Sequence, residues 1–526
     1  MIALSRAVAT VRAAPWLALS SLAVASGIAH LLRYHFDFSD RFAVALAIVQ
    51  FAALFVACLF LRRGEQRMGW PVLSALALVL IGVWYHFRTE YGWFDWPAIW
   101  FHLIAGLDSS DGVYEQVRMT GNTLLGFGLI ILGLFGISGR IGMGLRGDIL
   151  LGVAFLAINP AVWHLARSFA PVDPESRVAL SRLYIEPALA RPRGAPRNLL
   201  HIYLESTERT FADNPRFSEA MAPLWALEAR GVLATGMRQI AHTRWSVAGI
   251  AASSCGVPLF PVGYRSINGR FRLDSFLPGA TCLGDILARA GYDLTFILGS
   301  DQAFGGIDKL NLDHGFRRVL DDTDILHLYP EAASIWGVDD GAVLQMALRV
   351  LRASQGGDPF GIVLETIGGH EPDGVMSQAC LGSESEASGE KSGIIGAIGC
   401  TNRLVARMLE TAQAEGLLDN TVVVLQSDHV SLDRTLFADL SIGERRLFFT
   451  MFGEELPVRV VTRPSSPVDV LPTLLEALGF VPENGRAGLG VSLFRDTPTL
   501  VEQHGFDGFN HLILADQTLA PALWGH

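Results

Sequence analysis

Five apolar runs crowd the first 165 residues, and a chain that begins this way has few ways to fold in water. They are Pro15 to Leu32, Phe42 to Leu61, Trp70 to Phe87, Asn122 to Ile137 and Ile149 to Leu165. A helix needs about 20 apolar residues to cross the hydrocarbon of a bilayer, and runs of this size joined by short charged connections match that solvent. The whole chain agrees, with 50% of its 526 residues hydrophobic and a mean hydropathy of +0.34. Pro160 falls late in the fifth run, where neighbouring helices could satisfy the carbonyl it frees.

Arginine placement sets the orientation, because Lys and Arg near span ends stay on the cytoplasmic side. Arg6, Arg12, Arg62, Arg63, Arg67, Arg140 and Arg146 fall on one side, against Arg33, Arg41, Arg88 and Arg118 on the other. The N-terminus is then inside and everything beyond the fifth span outside. A cleaved signal peptide ending near Ala23 and Ala25 is the rival reading, disfavoured because the apolar run continues past that site and further runs follow. Trp93, Phe94, Trp96, Trp100 and Phe101 suit either an interfacial helix or a buried aromatic loop. Charges inside the runs are nearly absent, which argues against transport. Gly142, Gly144 and Gly147 spell GxGxxG, but no strand precedes them, so the dinucleotide context is missing.

Residues 1–170 therefore read as a five-span membrane domain and 171–197, with Pro171, Pro174, Pro187, Pro192 and Pro196, as a linker. A domain over 198–526 follows. Residues 1–170 carry a net charge of +3 and the remainder −14, within a total of −11, a sign that argues against nucleic acid as a partner. In the second domain short apolar runs at Leu199 to Leu204, Leu294 to Leu298, Phe360 to Leu364, Val422 to Leu425 and Leu447 to Phe452 alternate with helical patterns. Those patterns include Ala342 to Leu351, Ile394 to Leu409 and Val468 to Leu478. Strands alternating with helices predict an α/β domain with a largely parallel sheet covered by helices on both faces. Ligands of such sheets gather at the carboxyl ends of the strands.

Four of the five cysteines fall in this domain, which suggests disulfides in an oxidising compartment. Of three possible pairings the sequence-local ones are favoured, Cys255 with Cys282 and Cys380 with Cys400. The second would close the Gly/Ser/Glu-rich stretch Gly382 to Gly393, at a loop-entropy gain of about 3 kcal/mol.

Several apolar strands end in a polar group. His-Ile-Tyr-Leu-Glu ends at Glu205, Val-Val-Val-Leu-Gln-Ser-Asp-His at Asp428 and His429, and Gly-Ile-Val-Leu-Glu-Thr-Ile-Gly-Gly-His at His370. As parallel neighbours these would converge on one rim, where two carboxylates and an imidazole suit one divalent cation: manganese or magnesium by the oxygen donors, zinc by the histidine. Ser246 stands where a loop hands over to the helical run Val247 to Ser254. A helix N-terminus favours an arriving phosphoryl group and a bound cation would activate the hydroxyl. The bland reading makes Ser246 only a helix cap. His201, inside a strand, reads as a core histidine.

Tyr203-Leu204-Glu205-Ser206, the run from Trp245 through Ser246 and Cys255 to Leu259, and Ser427-Asp428-His429 together resemble the sulfatase-type branch of the alkaline phosphatase superfamily. More narrowly they resemble membrane phosphoglycerol transferases of periplasmic glucans and lipoteichoic acid synthases. The resemblance implies that Glu205, Asp428 and His429 are metal ligands and that Ser246 is both fourth ligand and covalent nucleophile. Related transferases generally carry threonine at that position, so Thr243 stays as the rival nucleophile. By the same resemblance His370 contacts substrate, with Arg244 and Trp245 beside the nucleophile. Asp301, Lys309 and His314 are cleft candidates. The implied activity is transfer of phosphoglycerol from phosphatidylglycerol to a periplasmic glucan through a covalent intermediate, by a multi-pass protein of a bacterial inner membrane with its catalytic domain in the periplasm. The implied cofactor is one divalent ion, manganese first. Alternatives on the same fold are a phosphoethanolamine transferase and a sulfatase or phosphodiesterase releasing product to water. A scaffold with a dead site is the alternative from another class.

Overall fold

The computed structural model describes residues 19–27, 79, 121, 125–133, 145–157, 180–187, 192–260, 273–371, 373–381, 393–432, 436, 440, 445–516 and 518–525. The chain divides into two compact units, one drawn from residues 1–171 and the other including residues 172–526.

In the first unit, residues 19–27 and 125–133 are helical, as is Leu145–Ala157, and these pieces lie in or overlap the first, fourth and fifth expected spans. The second and third expected spans, apart from Val79, and the aromatic segment Trp93 to Phe101 lie outside the described residues. Among the described residues no helix is long and apolar enough to cross a membrane. A Cβ on Gly27 would lie 2.5 Å from the Gly126 carbonyl oxygen, and one on Gly133 would lie 2.4 Å from that of Ser20. Segments 19–27 and 125–133 therefore cross antiparallel at backbone contact, the approach that small residues permit between helices.

The second unit is built on an eight-stranded sheet. Its strands are β1 (Asn198–Leu204), β2 (Val232–Ala234), β3 (Asp293–Leu298), β4 (Arg318–Leu320), β5 (Phe360–Glu365), β6 (Thr421–Ser427), β7 (Phe449–Phe452) and β8 (Arg459–Val461), in the spatial order β8-β2-β7-β6-β1-β5-β3-β4. All pairings are parallel except the two made by β7. The five strands expected from the sequence are present. Short β2, β4 and β8 were not expected, because three residues are too few to show a period.

The apolar runs of β1, β5 and β6 are continuous because both faces of the sheet are covered. One face carries Leu200, Ile202, Leu204, Ile362, Leu364, Val423 and Leu425 against α1 (Ser218–Glu228), α4 (Asp340–Ala353) and α5 (Ile394–Ala414). The other carries Leu199, Leu294, Val422, Val424, Phe449 and Met451 against α3 (Leu283–Arg289) and α6 (Val470–Ala477). His201 is buried there, stacked on Tyr203 with ring centroids 4.2 Å apart and its Nε2 3.2 Å from Gln426 Oε1. Burial pushes its pKa down to about 3, so it is a neutral core residue.

Disulfides join Cys255 to Cys282 and Cys380 to Cys400, the sequence-local pairing. The stretch that the second was expected to close lies outside the described residues, apart from Gly393. The expected linker, in its described part, is fastened to the sheet domain: Ile185 bridges Gly488, and the Arg193 N–H donates to the Gly479 carbonyl at 2.8 Å.

Helix α2 (Ser246–Cys255) decides where the site forms. A Cβ on Gly249 would lie 1.9 Å from the Asp428 carbonyl oxygen, so only glycine lets this helix rest on the loop that follows β6. Its inner face, Val247 to Ser253, is buried, and the Tyr203 hydroxyl meets Ser253 Oγ at 2.7 Å. Gly249→Ala should lower stability by roughly 1–3 kcal/mol, the usual cost of forcing an atom into a packed interior. Denaturant unfolding checks this, and an unchanged midpoint would mean that the helix stands off from the loop.

Candidate functional site

Parallel β1, β5 and β6 end on one rim, and each delivers a carboxylate there. Tyr203 is in register with Glu365 on one side and Gln426 on the other. Glu205 and Asp428 follow just beyond the paired residues, so adjacency of the strands alone brings the acids together. Glu205, Asp428 and His429 are almost fully buried, and one ligand atom of each lies within 4.8 Å of the others. His429 Nε2 is 3.3 Å from Glu205 Oε1 and 3.3 Å from Asp428 Oδ2. Ser246, the first residue of α2, donates its hydroxyl to Glu205 Oε2 at 3.1 Å.

Backbone and polar bonds hold the acids in place. The Ser206 N–H donates to Asp428 Oδ1 at 3.0 Å, and the Ser206 hydroxyl to Glu205 Oε1 at 2.9 Å. Ser206 has φ of 52°, an unusual conformation for a residue with a side chain and one that directs both its donors into the cluster. Glu371 Oε1 accepts from the hydroxyls of Ser206 and Ser431 and from the Leu432 N–H, tying three loops together. Close packing completes the rim, since a Cβ on Gly369 would lie 2.0 Å from the Glu205 carbonyl oxygen.

The electrostatics follow from crowding acids in a dry place. Burial works against the Glu205 carboxylate, but the His429 imidazolium outweighs it and holds the carboxyl down at about 2. Burial and then the Glu205 charge push Asp428 well above the carboxylate range. His429 is pushed well above its ordinary value by Asp428 and Glu205, against the effect of burial. Glu365, buried beside Asp428 and Glu205, is also pushed well up, by burial first. Asp428 Oδ2 is buried and accepts no hydrogen bond. Two carboxylates, an imidazole and a hydroxyl at this spacing fit a divalent cation, whose charge offsets theirs and whose coordination takes up the orphaned oxygen.

Thr243, the rival nucleophile, is fully buried with its hydroxyl donated to the Ile240 carbonyl at 2.8 Å. Trp245 is the N-cap residue of α2, and its carbonyl accepts the Ala248 and Gly249 N–H groups at 2.9 Å each. Arg244 is half-buried beside Ser246 and helps hold the His242 pKa down, after burial, to about 4. His370 lies close enough to Glu205 to stabilise its charge, and its ring is 4.0 Å from that of Trp336. Asp301 Oδ1 accepts the Ala303 N–H at 2.8 Å in a turn near α2, where a Cβ on Gly305 would lie 3.7 Å from Val247. Lys309 is instead turned to the Asp274 carbonyl at 3.4 Å. Both ring nitrogens of His314 are engaged, by Asp285 Oδ2 at 2.7 Å and the Phe276 carbonyl at 2.9 Å, which makes it a structural residue.

Sequence reasoning passed over Glu365, Glu371, Ser206 and Trp336. Glu365 carried a usable signal, because its strand ends in a carboxylate as β1 does in Tyr203-Leu204-Glu205. Glu371, Ser206 and Trp336 act through contacts that no spacing reveals.

The sulfatase family model matches residues 262–480. The chain contains a sulfatase-type domain. It is 30% identical over 463 residues to phosphoglycerol transferase I of Xanthomonas euvesicatoria pv. vesicatoria, covering 84% of this chain and 64% of that protein. It is 28% identical over 440 residues to phosphoglycerol transferase I of Escherichia coli O127:H6, covering 77% of this chain and 57% of that protein. The chain thus spans less than two thirds of the length of these two curated relatives. Among solved structures it is similar to the integral membrane lipooligosaccharide phosphoethanolamine transferase A from Neisseria meningitidis, with a TM-score of 0.45, 16% identity, and coverage of 88% of this chain and 95% of that one. The eight-stranded sheet holds Glu205, Asp428 and His429 at its strand ends, as open parallel sheets generally hold ligands.

The turn before His370 is set by Asp340, whose two carboxylate oxygens accept the Ile367 and Gly368 N–H groups at 2.7 and 2.9 Å. Burial pushes Asp340 up to about 6, so between about pH 4 and 6 the folded chain holds a proton that the unfolded chain has lost. Its contribution to stability is therefore greatest below pH 4 and declines as the pH rises through 6. Asp340→Asn should flatten that part of the stability profile, measured by urea unfolding at pH 4 to 7. An unchanged slope would show that Asp340 is ionised throughout.

Proposed function

We propose that the chain transfers phosphoglycerol from phosphatidylglycerol to the hydroxyl of a glucan through a covalent intermediate on Ser246. The observation that carries the reading is the Ser246 hydroxyl at the head of α2, hydrogen-bonded to Glu205 within a buried Glu205, Asp428 and His429 cluster. Homology to proteins named phosphoglycerol transferase I supports the choice of group. Glu205, Asp428, His429 and Ser246 would hold one divalent cation, manganese by preference and magnesium or zinc otherwise. Bound there, the ion supplies positive charge that lowers the pKa of the serine hydroxyl and offsets charge on the phosphoryl oxygens.

The chain's own residues supply position and proton. Glu205 aligns the Ser246 oxygen for attack on phosphorus, and the N–H groups at the start of α2 face the incoming anion. The Oγ–P bond forms as the bond from phosphorus to the diacylglycerol oxygen breaks, and the proton lost by Ser246 balances the one gained by diacylglycerol. In the second half an acceptor hydroxyl attacks the same phosphorus, the Oγ–P bond breaks, and Ser246 regains a proton. Arg244 and His370 flank the group being moved. A lipid donor gives the apolar runs before residue 165 their purpose, which is to keep the site at the outer face of a bacterial inner membrane.

Incubating the full chain with headgroup-labelled phosphatidylglycerol, then analysing it by mass spectrometry, tests this. A phosphoglycerol adduct should appear on Ser246, disappear in Ser246→Ala and persist in Thr243→Ala, where the lost hydroxyl costs only about 1 kcal/mol of stability. An adduct from labelled phosphatidylethanolamine instead would move the reading to phosphoethanolamine transfer. Release to water with no acceptor dependence would make the protein a hydrolase.

A further inference from the structure

Glu365 ends β5 one strand over from Glu205 and is used by nothing described so far. In parallel strands paired residues share a face. Its partner Tyr203 faces α2, where its hydroxyl meets Ser253, so Glu365 is turned toward the same helix. The charged groups that act on it are Asp428, Glu205 and His429. The side chain is 92% buried by its 8% exposure, and Oε1 accepts no hydrogen bond among the described residues. A buried carboxylate oxygen without a donor is costly and persists only where something else completes it.

We propose that Glu365 is a further ligand of the divalent ion held by Glu205, Asp428, His429 and Ser246, an inference that rests on the cation reading given above. The donor set then becomes three carboxylates, one hydroxyl and one imidazole. Four oxygen donors to one nitrogen, with a sixth position for a substrate oxygen, suit a six-coordinate manganese or magnesium ion over tetrahedral zinc. Glu365 would thus set which metal the site retains.

Calorimetric titration of the metal-stripped full chain with manganese and with zinc tests this, on the wild type and Glu365→Gln. Loss of a ligand should weaken manganese binding on the order of 10- to 100-fold and zinc binding less. Equal manganese affinity in a folded Glu365→Gln protein would overturn the assignment and leave the cation reading standing. A wild type that takes up no stoichiometric ion would overturn the cation reading itself. The manganese-loaded wild-type structure decides independently of how the variant folds. A Glu365 oxygen within about 2.0–2.6 Å of the ion is expected, and one beyond first-sphere distance would overturn the proposal.

Discussion

Like charges held together out of water are the constraint around which the sheet domain is organised. Three carboxylates and an imidazole lie at the ends of adjacent strands, almost without solvent. Such a cluster is unfavourable by itself, and the surrounding structure compensates with aimed hydrogen bonds. Ser206 gives a backbone N–H to Asp428 and a hydroxyl to Glu205, Glu371 ties the loops behind them, and α2 places its positive end over the opening. Among the described residues Asp428 Oδ2 and Glu365 Oε1 are buried there without a hydrogen-bond donor.

The fold supplies this geometry by ordinary means. A parallel sheet buried on both faces has its strand ends in register, so three consecutive neighbours deliver three side chains to one place with little dependence on loops. Ser246 comes from the layer of helices instead, and it reaches the rim only because Gly249 allows α2 to touch the loop after β6. Cys255, at the other end of the same helix, is bonded to Cys282, so the helix is fastened at both ends. Ser246 is therefore positioned by close packing of its helix.

The two units are packed by different means. In the first, glycines bring segments 19–27 and 125–133 to backbone contact, the approach that small residues permit between helices. In the second, burial of apolar faces against helices holds the sheet.

Sequence by itself determined the α/β class, the five long strands, the two disulfide pairs and the polar groups at the ends of the strands. These are properties of local composition, since buried strands must be apolar and a change to Glu or Asp-His ends them visibly. It also singled out Ser246, through a helix start, without separating it from Thr243. Tertiary structure gave the two hydroxyls different surroundings: Thr243 donates to the Ile240 carbonyl, whereas Ser246 donates to Glu205. It alone revealed short β2, β4 and β8, the turn of Ser206, the bridging by Glu371 and the company of Glu365. It also turned His314 into a structural residue. Each of these depends on which strands become neighbours and how closely a helix can approach them, distances that exist only once residues far apart in the chain have packed together.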